Sequence, residues 1–259
     1  MKRNVWLSIK MIALPREHGA WGFTIEPLLL GLLVVWSVPN ALLALATFLT
    51  FLAHQPVKIF FSSYKAKRKS ALLFIIGYGS AGVFAFYFYL TRVSLQAGLP
   101  VYGALGMMFF YLILDLLHWN KRIYIEIIAP AAIGLMTMSM ALSAGWGTAE
   151  SLALWLLLLT RSIPTAFYVH ARLQSIKRQP SGKKSALTVH ILSVLLAAFL
   201  ISEHLLPVLA LFGVLNLLLR AVYGLFLQKA GTVRRLGIME FVYGLQLVFF
   251  TVIGYWFHF

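Results

Sequence analysis

Nine long apolar stretches, each separated from the next by a short polar or glycine- and proline-bearing break, fill the chain almost from end to end. They run near 20–38, 40–62, 70–91, 99–117, 123–145, 149–169, 185–205, 207–228 and 236–257. The breaks at Pro39-Asn40, Gln96-Ala97-Gly98, Gly145-Trp146-Gly147, Glu203-His204 and Ala230-Gly231 are turn signals. A helix needs roughly 20 apolar residues to cross about 30 Å of hydrocarbon. The pattern therefore predicts an all-α polytopic membrane protein of nine transmembrane helices, a single domain over 1–259. Ahead of the first span, Lys10 interrupts the apolar run from Asn4 to Leu14 and no small-residue cleavage site follows. Residues 1–19 are read as a cytoplasmic or interfacial segment.

Composition sharpens this picture. Hydrophobic residues make up 61% and charged ones 11%, against about 45–50% and about 25% in a soluble domain. A water-soluble domain is excluded. The 22 Lys and Arg against 7 Asp and Glu, a formal +15, would suggest nucleic acid in a soluble protein. Their placement argues otherwise. With the N-terminus inside, the inner segments collect Lys2, Arg3, Lys10 and Arg16, then Lys58, Lys65, Lys67, Arg68 and Lys69, then Lys121 and Arg122. Arg172, Lys177, Arg178, Lys183 and Lys184 follow, and then Lys229, Arg234 and Arg235. Arg161 and Arg220 lie inside spans, and only Arg92 falls on the outer side. This is the positive-inside pattern of a chain with a cytoplasmic N-terminus and an outer C-terminus, its basic loops facing headgroups rather than nucleic acid. The lack of cysteine removes disulfides, iron–sulfur clusters and thiolate zinc sites.

Charges inside a membrane cost roughly 2.5–3.5 kcal/mol each and usually face a bundle interior or a watery cavity. Glu26, His54, Lys58, Asp115, Glu126, Arg161, His190, Arg220 and Glu240 all fall in the inner halves of their spans. That asymmetry predicts a polar pocket open to the cytoplasm and sealed by an apolar outer half, whereas channels and transporters more often place polar groups along a path to both sides. For the groups nearest helix ends, Lys58, Asp115 and Glu240, snorkelling or structural pairing is the favoured reading.

Two segments carry candidate chemistry. In Pro15-Arg16-Glu17-His18-Gly19-Ala20-Trp21-Gly22 a charged triplet runs into an apolar helix. Gly19 and Gly22 allow close backbone approach, and Trp21 suits an interface. Glu17 and His18 suit an acid–base or ligand-positioning pair, because histidine titrates near neutral pH; an interfacial helix start explains the same run. In the sixth span, Arg161, Thr165, Tyr168 and Arg172 share one helical face and present the donors an anionic headgroup needs. Pro164 is expected to kink or break that helix beside Arg161. Gly77-Tyr78-Gly79-Ser80-Ala81-Gly82 matches a dinucleotide fingerprint but lies inside an apolar span, where helix packing through small residues accounts for it. The scattered histidines suggest no metal site.

Nine spans, an inward N-terminus and a cytoplasm-facing cavity resemble the plan of the UbiA prenyltransferase superfamily. The run Pro15 to Trp21, the Lys121-Arg122…Glu126 stretch and the Phe167-Tyr168-Val169…Arg172 stretch resemble the bacterial YwiC-like proteins. The UbiA resemblance implies two Asp-rich, magnesium-holding motifs after the second and sixth spans. The corresponding stretches here, His54 to Lys65 and Tyr168 to Ser175, contain no acid, and Asp115 is the only aspartate in the chain. Hard divalent cations want carboxylate oxygens, so magnesium chemistry is not expected and the cofactor stays unknown.

The resemblance implies a cavity whose Lys, Arg and His hold an anionic, isoprenoid-type lipid without metal, in the bacterial cytoplasmic membrane. The candidate binding residues are His54, Lys58, Glu126, Arg161, Tyr168, His170 and Arg172, with Glu17, His18 and Glu26 as acid–base candidates. Two readings stand beside each other: an enzyme acting on that lipid, and a non-catalytic binder of a lipid, quinone or porphyrin-type cofactor or an accessory membrane subunit. A transporter is the third.

Overall fold

The computed structural model describes residues 11–15, 18–62, 67–117, 123–227 and 232–258. Its elements are α1 (His18–Val34), α2 (Val38–Phe61), α3 (Arg68–Leu90), α4 (Leu95–Leu116), the single turn α5 (Ile123–Glu126), α6 (Ile128–Ser143), α7 (Thr148–Ile176), α8 (Lys183–Ser202), α9 (Leu209–Val222) and α10 (Val233–Phe257). A π-helical turn, Tyr223–Leu227, continues α9. No strand occurs among the described residues.

Seven of these helices are long and apolar enough to cross a membrane: α2, α3, α4, α7, α8, α9 with its π turn, and α10. The first and fifth expected spans are shorter. α1 has 17 residues, and the stretch 123–145 is divided at Ile127 into a 4-residue turn and a 16-residue helix. At 1.5 Å per residue, about 24 Å of helix in α6 falls short of the hydrocarbon thickness on its own. The Lys10, Arg16, Glu17, Lys65, Lys121, Arg122 and Lys229 positions lie outside the described residues, as does the His18 side chain.

Local sequence explains the boundaries. Ser37 caps α2, its hydroxyl accepting from the Asn40 amide at 3.2 Å, with Pro39 in the first turn where its missing N–H costs nothing. Ser94 caps α4 and Thr232 caps α10 in the same way, accepting from Ala97 and Arg235. α6 stops at Gly145, whose φ of +86° suits a residue with no Cβ, and the Trp146 amide closes onto the Ala141 carbonyl. α7, by contrast, runs through Pro164 as one continuous helix of 29 residues, so the helix is not broken there.

Packing forms a ring: α1 lies against α6 and α10, α6 against α7, α7 against α8, α8 against α9, and α9 against α10. α2 carries α3 on its flank, and α4 rests on α6. α3 and α4 follow each other in sequence yet barely touch, because each leans on a different neighbour. Near their shared turn they are pinned: the Ser139 hydroxyl donates to the Ala97 carbonyl, and Tyr89 Oη lies 2.7 Å from Ser139 Oγ. Two helical turns from the turn they are free to diverge. A dry cluster of Leu30, Ala141, Leu154, Leu158, Val248 and Val252 joins α1, α6, α7 and α10 at the end of the bundle remote from the basic loops.

Candidate functional site

One turn of α1 before Leu30, the dry cluster gives way to charge. Glu26 meets Arg161 across the bundle in a two-pronged pair, with Nε to Oε2 at 3.0 Å and Nη2 to Oε1 at 3.1 Å. Arg161 Nη2 also donates to the Glu240 backbone carbonyl at 2.6 Å, and Nη1 donates to the Thr165 hydroxyl. Glu240 in turn holds Arg220, whose Nη1 lies 2.5 Å from both carboxylate oxygens. Arg220 Nη2 reaches the Thr165 hydroxyl and His190 Nε2, each at 3.4 Å. His190 Nδ1 sits 2.7 Å from the Ala186 carbonyl, which assigns the ring proton to Nδ1 and leaves Nε2 to accept from Arg220. Every member is buried: Glu26, Arg161, Arg220 and Glu240 are all at most 5% exposed.

Two carboxylates and two guanidiniums cancel, which is the condition for keeping four charges out of water. Glycine makes the approach possible. At Gly244 of α10 a Cβ would collide with the Glu26 carboxylate, so only a bare Cα lets α10 close over α1 at this level. Gly22 serves the same carboxylate more loosely, whereas the space beside Gly19 is open. The Trp21 ring packs edge-on against Phe48 and Phe51 of α2, and its Nε1 donates to the Pro15 carbonyl at 3.2 Å.

A cavity of about 970 Å3 lies in front of this network, toward the end of the bundle bearing the basic loops. Arg161, Thr165 and Glu240 form one wall of it and His54 faces it from α2, with Glu126 and Arg234 also on its lining. The remaining lining is mainly apolar and includes Phe23, Phe51, Phe86, Met108 and Phe241. Val83 and Leu105 line the cavity and are nevertheless 70% and 43% exposed, so the wall is open between α3 and α4.

A second ionic cluster ties α4 to α2. The buried Asp115 carboxylate receives Lys58 Nζ at 3.1 and 3.2 Å and lies 3.2 Å from His54 Nε2. No group of three or more His, Asp or Glu side chains placed to hold a metal occurs among the described residues.

The residues singled out from the sequence thus part company. His54, Glu126 and Arg161 line the large cavity, while Lys58 supports it from behind through Asp115. Glu26 is not on the lining; it stands behind Arg161. The Arg161–Thr165–Tyr168–Arg172 face is divided: Tyr168 and Arg172 turn to a smaller pocket, and Arg172 Nη1 donates to the Gly224 carbonyl at 2.5 Å. His170 accepts from Gln174 Nε2 at 2.9 Å and lines neither space. Sequence reasoning placed Arg220, His190 and Glu240 in the membrane but not in the site. Charge balance was the available signal, since two buried arginines need two buried acids. Of the fingerprint glycines, only Gly82 packs against α2; Gly77 and Gly79 face open space.

No curated protein and no solved structure matches the chain. A family match covers α1 to α4 and most of α6, the part that contributes Glu26, His54 and Asp115. Over residues 14–141 the chain matches the family described as YwiC-like protein.

Proposed function

We propose that this polytopic membrane protein holds a lipid-like amphiphile in the large cavity, with the apolar body entering sideways between α3 and α4 and the polar head at the Arg161–Thr165–His54 wall. The carrying observation is the open wall at Val83 and Leu105 of an otherwise interior, mainly apolar space. About 970 Å3 is at the upper end of the size of ligand pockets. The reading includes nine spans with a cytoplasmic N-terminus and a UbiA-type layout, α1 and α5–α6 being the two shorter crossings.

Charge decides what kind of head group fits. Arg161 is engaged by Glu26 through Nε and Nη2, Glu240 is held by Arg220, and the remaining lining charges Arg234 and Glu126 are of opposite sign. A hydrogen-bonding but uncharged head of quinone or isoprenoid-alcohol type is therefore favoured over a diphosphate, and binding or carriage over metal-free catalysis. The catalytic, anionic-lipid reading is supported by one feature, the exposed Arg234 at the cavity margin.

Native mass spectrometry of the protein extracted with its own lipids tests this. A single apolar species retained after EDTA treatment supports the binder. Loss of that species on chelation, or retention of bulk phospholipid alone, overturns it.

A further inference from the structure

Glu240 has two faces. One closes the large cavity; the other closes a separate pocket of about 80 Å3 between α7, the π turn and the first turns of α10. Arg172, Arg220 and Arg235 line this smaller space together with Tyr168, Tyr223 and Tyr243. Arg220 is paired with Glu240, and Arg172 and Arg235 bring two further guanidiniums to the lining.

Its walls are built rather than incidental. The Arg220 guanidinium is stacked on the Tyr168 ring at 4.1 Å and faces Tyr243 at 5.6 Å, so its plane is fixed. Arg220 Nη1 is taken by Glu240, but its buried Nε has no hydrogen-bond partner among the described residues. The π turn shapes the opposite side: it presents the Gly224 carbonyl to Arg172. At Gly224 a Cβ would collide with the Tyr168 side chain, so glycine lets the tyrosine pass.

The geometry points to a phosphate-type anion site in this pocket. Each water needs roughly 10–15 Å3 of such space, so about 80 Å3 admits a few waters or one phosphate group and excludes a nucleotide or a sugar phosphate. Planar guanidinium forks and tyrosine hydroxyls match the oxygens of that group. Arg235 and Thr232 on its lining are exposed, so the phosphate is reachable either as a free ion or as a lipid headgroup. This inference is independent of what occupies the large cavity.

The test uses the full chain in nanodiscs. In phosphatidylcholine discs, inorganic phosphate is titrated and binding is read by 31P line broadening and thermal shift. In a second arm, phosphatidic acid replaces a rising fraction of the phosphatidylcholine. Saturable binding in the first arm identifies the free ion; saturation only in the second identifies the headgroup. In either case Arg235→Gln, an exposed change that leaves the bundle intact, is expected to weaken binding about tenfold, and Arg172→Gln at least as much. Arg178→Gln, on the exposed loop after α7, is expected to change it less than about twofold. No saturation in either arm, or an equal loss in Arg178→Gln, overturns the site.

Discussion

Arg161 meets Glu26 with two nitrogens on one edge of its guanidinium, Nε and Nη2, at 3.0 and 3.1 Å, across 135 residues of sequence. The contact joins α1 to α7 where the dry end of the bundle meets the cavity. It therefore bears on assembly as well as on binding.

Removing one partner of such a pair strands the other charge. Glu26→Gln and Arg161→Met are each expected to cost about 3–5 kcal/mol, and the double variant less than the sum of the two. Thermal melting in detergent reads this. Strictly additive losses would show that the pair is not coupled.

The glycines of α3 and α10 should respond oppositely to one methyl group. Gly244→Ala forces a Cβ into the Glu26 carboxylate and is expected to lower stability by about 1–3 kcal/mol. Gly79→Ala meets open space and is expected to raise it by up to about 1 kcal/mol through helix propensity. Melting temperatures of the two single variants give the comparison.

Asp115→Asn should be milder than Glu26→Gln. His54 and Lys58 keep 23% and 32% side-chain exposure, so the freed cation can turn to solvent, and asparagine still offers an acceptor. A loss of about 1 kcal/mol is expected. A loss as large as that of Glu26→Gln would make this cluster a main structural tie between α2 and α4.

The opening between α3 and α4 is testable because the chain has no cysteine of its own. A bulky maleimide on Val83→Cys should reduce retention of the bound amphiphile. The same label on Phe84→Cys, equally exposed but off the cavity lining, should not. Equal effects at both positions would remove the sideways entry.

Orientation yields to the same approach. Ser181→Cys, in the loop after α7, is expected to react with a membrane-impermeant maleimide only from the cytoplasmic side, and Ser94→Cys, before α4, only from the outside. Labelling of both from one side would contradict an odd number of crossings between them.

The sequence alone determined that the protein is a helical membrane domain and where most of its helices run. Twenty-odd apolar residues in a row leave the backbone no other way to satisfy its hydrogen bonds in lipid. It also marked the residues at stake, since every intramembrane charge needs a reason to be there. What it could not supply was pairing. Arg161, Tyr168 and Arg172 share a helical face by spacing alone, yet Glu240, arriving from α10, separates Arg161 from the other two. Glu26 looks like a cavity acid in sequence and stands behind Arg161 in space. Helix periodicity fixes direction around one axis; which helix lies opposite, and how closely a glycine such as Gly244 lets it come, is decided only when the bundle packs.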